Sequence, residues 1–384
     1  VPASFSMRNC ERVHNPAPVA ARFSPVYKGN LKTGLVMCML IIAAVGGLRA
    51  QSGTPLAVPA EFVRELSLPG TLNHYLRPGR ILVDRTSDEV YVADPGHNRI
   101  VIHDAEGVFR YEFSISQHCG APRDIAVDSR GLIYVLGSNR DGQGVFVFDY
   151  DGQFLRTLDF GPAFDGADYD LRTIAIDGRD RLYLLDERGC RVVRYSADGR
   201  AEAEFPVAGS LDEKDRRELV FGSLCVSGDE VYVPAASAGT VYRYDPDGRL
   251  LGTIGYKGNN LGELNFPISV AVTGDGIVLV LDKHRYAVVC FTPDGKFLAE
   301  FGGKGVNPGW FYHPTWLAVD GKDRVYVGQI FQNRVQVCRV PAIVRERQRR
   351  LQGDRAVEGQ ELSRLVRYST VNERSFGGGA GGAR

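Results

Sequence analysis

The stretch Leu317-Ala318-Val319-Asp320-Gly321-Lys322-Asp323-Arg324-Val325-Tyr326-Val327 decides how the chain is read. Two short apolar runs of strand length flank a polar turn, and the second is centred on a tyrosine. The same pattern stands upstream at Ile81-Leu82-Val83-Asp84, Ile125-Ala126-Val127-Asp128, Ile174-Ala175-Ile176-Asp177, Leu224-Cys225-Val226-Ser227 and Val270-Ala271-Val272-Thr273. Successive closing residues are 44, 49, 50, 46 and 47 positions apart. The partner runs are Val90-Tyr91-Val92, Ile133-Tyr134-Val135, Leu182-Tyr183-Leu184, Val231-Tyr232-Val233 and Val278-Leu279-Val280.

A third strand follows, as in Arg99-Ile100-Val101-Ile102 or Arg334-Val335-Gln336-Val337. Turns at Glu106-Gly107, Asp151-Gly152, Asp198-Gly199, Asp247-Gly248 and Asp294-Gly295 then lead to a fourth, such as Phe154-Leu155-Arg156-Thr157-Leu158. An x-Gly pair supplies the positive φ that a tight hairpin needs. Four antiparallel strands per repeat of about 45 residues predict an all-β, six-bladed β-propeller over residues 61–340. Ala or Cys at the middle of five of the six first strands fits crowding near the axis. The sixth repeat lacks its fourth strand, because Pro341 follows Val335–Val340 directly. Glu61-Phe62-Val63-Arg64-Glu65-Leu66 resembles Gly295–Glu300, so an N-terminal strand is expected to complete the last blade and leave no open edge.

The 384 residues are 44% hydrophobic and 24% charged, with zero formal net charge, which excludes wholesale disorder, collagen and coiled coil. That zero hides three parts. Residues 1–50 hold 6 Lys/Arg against 1 Asp/Glu, residues 341–384 hold 9 against 5, and residues 51–340 hold 31 against 40, a balance of −9. An acidic body is a poor binder of polyanions, so nucleic acid is disfavoured as a partner.

Residues 34–48 are uncharged and mostly apolar, preceded by Lys28 and Lys32 and followed by Arg49-Ala50-Gln51-Ser52. Such a segment reads as an export signal cleaved near Ala50, with an uncleaved anchor as the alternative. Fifteen residues rise about 22 Å as a helix, short of the roughly 30 Å hydrocarbon layer, so no integral span is expected in the mature chain. Residues 51–60 read as a linker and 341–384 as a basic, partly helical, Gly-rich tail whose default is a solvated coil. The protein is thus read as exported: periplasmic, cell-envelope or extracellular. Cys119, Cys190, Cys225, Cys290 and Cys338 remain after the signal; no C-x-x-C occurs, and a Cys119–Cys190 bridge is left open.

Asp94-Pro95-Gly96-His97-Asn98-Arg99-Ile100-Val101-Ile102, Gln332-Asn333-Arg334-Val335-Gln336-Val337 and His313–Asp320 resemble the NHL repeat. A Gly-rich linker recurring 47 residues apart, Gly255–Gly262 and Gly302–Gly309, strengthens the resemblance. It implies a six-bladed propeller and little about activity, since that family holds binding modules, sensors and a few enzymes.

Neither Gly-rich linker has the spacing of a phosphate loop, and no H-E-x-x-H or G-x-S-x-G occurs. Asp149–Gly152 and Asp245–Gly248 hint at calcium, but the turn recurs without the second Asp and reads as a hairpin. Propeller lyases resembling this fold gather histidines on zinc; here His97, His284 and His313 would have to converge from three blades. The candidate binding surface is the channel mouth. Four residues before each closing residue stand Arg80, Asp124, Thr173, Ser223, Ser269 and Trp316, supplemented by Arg123, Arg172, Asp186, Arg188, Lys283, His284, Arg285 and, from the strand start, His313. Mixed charge and a Trp at a concave mouth suit a protein partner or a small polar ligand. The reading is a non-catalytic binding or scaffold module within a larger assembly, with no cofactor or metal implied. A metal-dependent lyase or lactonase at the mouth is the competing reading.

Overall fold

Each repeat folds into one antiparallel sheet whose strands follow in chain order from the axis outward. The computed structural model describes residues 57–70, 73–84, 86–160 and 169–353. Blade 1 is Ile81–Asp84, Glu89–Asp94, Arg99–His103 and Phe109–Ser114. Blade 2 is Asp124–Val127, Ile133–Asn139, Gly142–Phe148 and Phe154–Thr157. Blade 3 is Leu171–Ile176, Leu182–Asp186, Arg191–Tyr195 and Ala201–Pro206. Blade 4 is Cys225–Ser227, Glu230–Ala235, Thr240–Tyr244 and Leu250–Ile254. Blade 5 is Pro267–Val272, Val278–Asp282, Ala287–Phe291 and Phe297–Gly302. Blade 6 is Pro314–Val319, Arg324–Gln329 and Arg334–Arg339, and its outer strand is the N-terminal Glu61–Glu65, antiparallel to Arg334–Arg339. The ring closes as the sequence predicts.

Six hydrophobic clusters lie between the blades, one at each interface. The cluster joining blade 6 to blade 1 unites Val335 and Val337 with Ile81, Val90 and Val92, so the closure is packed as well as hydrogen-bonded. Each fully buried Val or Ile contributes roughly 1.5–3 kcal/mol.

The recurring Asp and Tyr are structural. Asp177 Oδ1 accepts from the backbone N–H of Arg179 (2.9 Å) and Arg181 (3.0 Å), and Oδ2 accepts from Arg181 Nε (2.7 Å) and the Tyr183 hydroxyl (3.1 Å). Asp128 with Arg130 and Tyr134, and Asp320 with Arg324 and Tyr326, repeat the arrangement. Burial alone raises the Asp177 carboxyl pKa, but these donors outweigh it and the net shift is downward. Burial and Asp177 together push the Tyr183 phenol up to about 12. The second-to-third turn explains the Asn-Arg motif. Asn98 (φ 50°) and Asn333 (φ 51°) occupy the left-handed region that Asn tolerates, and Gly239 (φ 64°) holds that place in blade 4.

Two segments differ from expectation. Within the stretch read as a linker, Ala57–Val58 adds a fifth, parallel strand to blade 5 against Glu300 and Phe301. Within the tail read as partly helical but solvated, residues 342–353 form the helix, and it is docked on blades 5 and 6 rather than free. Its Val344 is fully buried, Gln348 Nε2 donates to the Asp275 carbonyl (3.0 Å), Arg347 donates to the Leu298 carbonyl (2.8 Å) and Arg345 pairs with Asp323. Burial of Val344, packing of Ile343 and Leu351 against the same cluster and three polar anchors override the charged composition. Residues 1–56 and 354–384, with the export segment and Gly-rich end, lie outside the described residues. No helix among the described residues is long and apolar enough to cross a membrane.

Candidate functional site

Two faces flank the ring. The blade-to-blade linkers and second-to-third turns share one, termed here the linker face; the first-to-second turns form the other. The predicted ring of residues 80, 124, 173, 223, 269 and 316 lies just inside the linker face, but most of its side chains are spent between blades. Asp124 is fully buried and accepts from Ile174 N (2.9 Å), Ile125 N (2.8 Å) and the Thr173 hydroxyl, with Arg80 Nε 3.4 Å away. Burial raises its carboxyl pKa, against the pull of Arg80 and these donors. Ser223 and Ser269 share a hydroxyl–hydroxyl bond (3.0 Å), and Ser269 receives Leu317 N (3.2 Å). Trp316 is half-buried against the blade 6–blade 1 cluster, with the Arg80 guanidinium 5.4 Å from its ring centroid. Asp124 and Trp316 therefore join blades rather than present a ligand surface, whereas Arg80 lies between them and also lines the axial cavity. Sequence spacing finds the belt but not its burial.

The other candidates remain on the linker face and divide by chemistry. Over blades 2 and 3 the surface is ionic: Arg123 pairs with Asp170 (2.7 Å), Arg172 lies 4.0 Å from Glu187, and Arg188 is exposed beside them in the chain. Asp186 is buried, tying Asp170 N (3.1 Å) and Arg191 Nε (3.0 Å). Over blade 5, Arg285 is structural, its guanidinium paired with Glu300 (2.6 Å) and bonded to the Asn259 carbonyl (2.8 Å). Lys283 donates its backbone N–H to the Phe266 carbonyl (3.0 Å), and exposed His284 stacks on Phe266 at 4.6 Å.

His313 belongs to an aromatic cluster that sequence reading missed. Its ring meets Tyr312 (4.6 Å) and Phe331 (4.5 Å) edge-on and Tyr286 at 5.6 Å, and Lys304 Nζ stands 5.6 Å from the Tyr286 centroid. These residues come from two turns and a linker that only the ring brings together. Phe331 is 65% exposed, and Tyr256 (64%) and Val306 (59%) protrude from the same face. The two Gly-rich linkers adopt one conformation, with matching parallel bridges Lys257–Leu264 and Lys304–Phe311 and left-handed Gly255 and Gly302. They are blade connections that lift side chains to the surface.

His97 is held by Asp94 (2.8 Å), His284 by its stack and His313 by the aromatic cluster. Among the described residues no three His, Cys, Asp or Glu side chains are placed to hold a metal ion. Cys119 and Cys190 are buried in different interblade clusters and form no disulfide.

The fold defines the class: a six-bladed β-propeller of four-stranded blades. No family profile and no curated protein matches the chain. Among solved structures it is similar to a streptogramin B lyase (TM-score 0.51, 13% identity, covering 72% of this chain and 97% of that one). It is also similar to a structural-genomics protein of unknown function from Bacteroides thetaiotaomicron (TM-score 0.50, 14% identity, 74% of each chain). At such identities the likeness bears on the fold alone.

Proposed function

We propose that this propeller is a non-catalytic, NHL-type binding module that engages a protein partner through the linker face of blades 5 and 6, as an exported subunit of an envelope or extracellular assembly. The observation that carries the reading is the exposed aromatic cluster around His313 and Phe331, with Lys304 at its side. Aromatic residues with a nearby cation, raised on rigid turns, are typical anchors of protein interfaces. The lyase or lactonase reading has weaker support, because His97, His284 and His313 have separate neighbours. The test is affinity capture from the native source with wild-type protein and with Phe331→Ala. A partner retained by wild type and lost from an equally stable variant supports the reading. Capture of the same partners by both would overturn it.

A further inference from the structure

A cavity of about 410 Å³ runs along the axis, and nothing above assigns it a ligand. Thr86, Ser129, Gly178 and Gly228, in first-to-second turns, lie at its rim, so it opens on the face opposite the aromatic cluster. Towards the linker face the cavity reaches the belt at Arg80, the one belt residue among its lining. We infer that this cavity binds the C-terminal end of an extended apolar peptide, with the free carboxylate on Arg80.

Three observations point to that chemistry. First, Arg80 is an anion receptor with spare donors. Its side chain is 12% exposed, its Nε is buried without a hydrogen-bond partner, and its guanidinium makes no hydrogen bond among the described residues. Asp124 balances its charge at 3.4 Å, yet that carboxylate is already occupied by three other donors. A guanidinium fork is matched geometrically by a planar carboxylate.

Second, the wall is suited to a peptide rather than to a hydrocarbon. The first strands are the inner edges of all six sheets, and among the described residues the bridge Ser223–Ser269 is the one that joins two of them. At the belt Ile125, Ile174 and Leu317 spend their N–H groups on Asp124 and Ser269; beyond it the inner strand edges border the lumen beside small apolar side chains such as Ala126, Ala175 and Ala318. Backbone groups left unpaired at a sheet edge are what an added extended segment satisfies. Four strand steps from Arg80 to Asp84 span about 13 Å, room for roughly four extended residues at about 3.4 Å each.

Third, the rim favours a cation further up the peptide. Asp128 and Asp177 are balanced by Arg130 and Arg181, whereas among the described residues Asp84 and Asp180 accept from backbone and hydroxyl donors. Among the described residues the mouth thus keeps two carboxylates without a cationic partner while the inner end offers guanidinium donors, an ordering that selects a peptide entering carboxylate first.

The experiment uses the full chain and the tetrapeptide acetyl-Lys-Val-Ala-Val as free acid and as C-terminal amide, with binding followed by calorimetry. The acid is expected to bind at least tenfold more tightly than the amide, and Arg80→Gln to erase that difference. Because the acid–amide comparison needs only wild-type protein, a misfolded variant does not obscure it. Cys225 supplies a second readout: it lines the cavity and is half-buried, while Cys119, Cys190, Cys290 and Cys338 are buried. The acid should slow its modification by iodoacetamide at least tenfold. Equal binding of acid and amide, absence of binding by both, or unchanged Cys225 modification at saturating acid would each overturn the inference. Phe331→Ala should leave this binding unaltered, which separates its failure from failure of the linker-face reading.

Discussion

Arg334 Nη1 and Glu65 Oε1 lie 2.8 Å apart although 269 positions separate them in the chain. Their pairing repeats the register of Arg99 with Glu112 (2.8 Å) in blade 1 and of Arg191 with Glu204 (3.0 Å) in blade 3. In each case the Glu stands opposite the residue two after the Arg. The N-terminal strand therefore occupies the fourth-strand position of blade 6 down to its side-chain partners.

Ring closure should dominate folding cooperativity. Removing residues 57–66 unpairs Arg334–Arg339 and uncovers Val335 and Val337, and should abolish the single thermal transition or cause aggregation. Arg334→Ala, which removes a partly exposed pair and a bond to the Val306 carbonyl, should cost roughly 1 kcal/mol. An unchanged melting temperature after the deletion would mean that the ring does not depend on this strand.

Trp316 should act on stability rather than recognition. It packs at the blade 6–blade 1 interface under Arg80, so Trp316→Ala should destabilise by about 2–4 kcal/mol. Capture of a linker-face partner below the melting transition should be unaffected. Chemical denaturation and partner capture on the same preparation separate the two effects, and loss of capture at intact stability would contradict the structural role.

His103 should make stability fall in mild acid. It is fully buried, bonded through Nε2 to the Tyr75 hydroxyl, and burial pushes its pKa down to about 4, against smaller upward effects of Gly107 and Asp104. The unfolded chain, with a His pKa near 6.5, takes up the proton first. This contribution is complete above about pH 6.5 and is lost as pH falls towards 4, amounting to roughly 3 kcal/mol. His103→Gln keeps a polar partner for Tyr75 and should flatten the pH dependence between 7 and 4. Identical slopes for variant and wild type would assign the effect to another group.

Asp177 should be costlier to remove than its place at a turn suggests. Asp177→Ala strands two backbone N–H groups, Arg181 and the buried Tyr183 hydroxyl, for an expected loss of about 2–3 kcal/mol. Exposed Asp229→Ala, at a neighbouring turn, should change stability by less than about 0.5 kcal/mol. Comparable losses in the two variants would show that the repeated Asp is not a turn anchor.

The blade count, the strand order and the closing strand were all legible from periodicity and turn chemistry. Each depends on local alternation and on Gly or Asn at fixed offsets, which survive without knowledge of distant neighbours. The level of the belt was legible too, since residues at one offset in every repeat must lie at one height along the axis. What those side chains do was not. Whether Arg80 faces a partner or Asp124 and Trp316 depends on the blade next to it, supplied by residues 44 and 236 positions away. The same holds for His313, whose aromatic neighbours arrive from two turns and a linker. The helical turns after residue 341 were legible but their docking was not, because Val344, Ile343, Leu351 and three polar contacts to blades already folded outweigh an exposed basic surface. Local sequence dictated the blades; closing them into a ring decided which polar groups were consumed between blades and which were left facing solvent or the axial cavity.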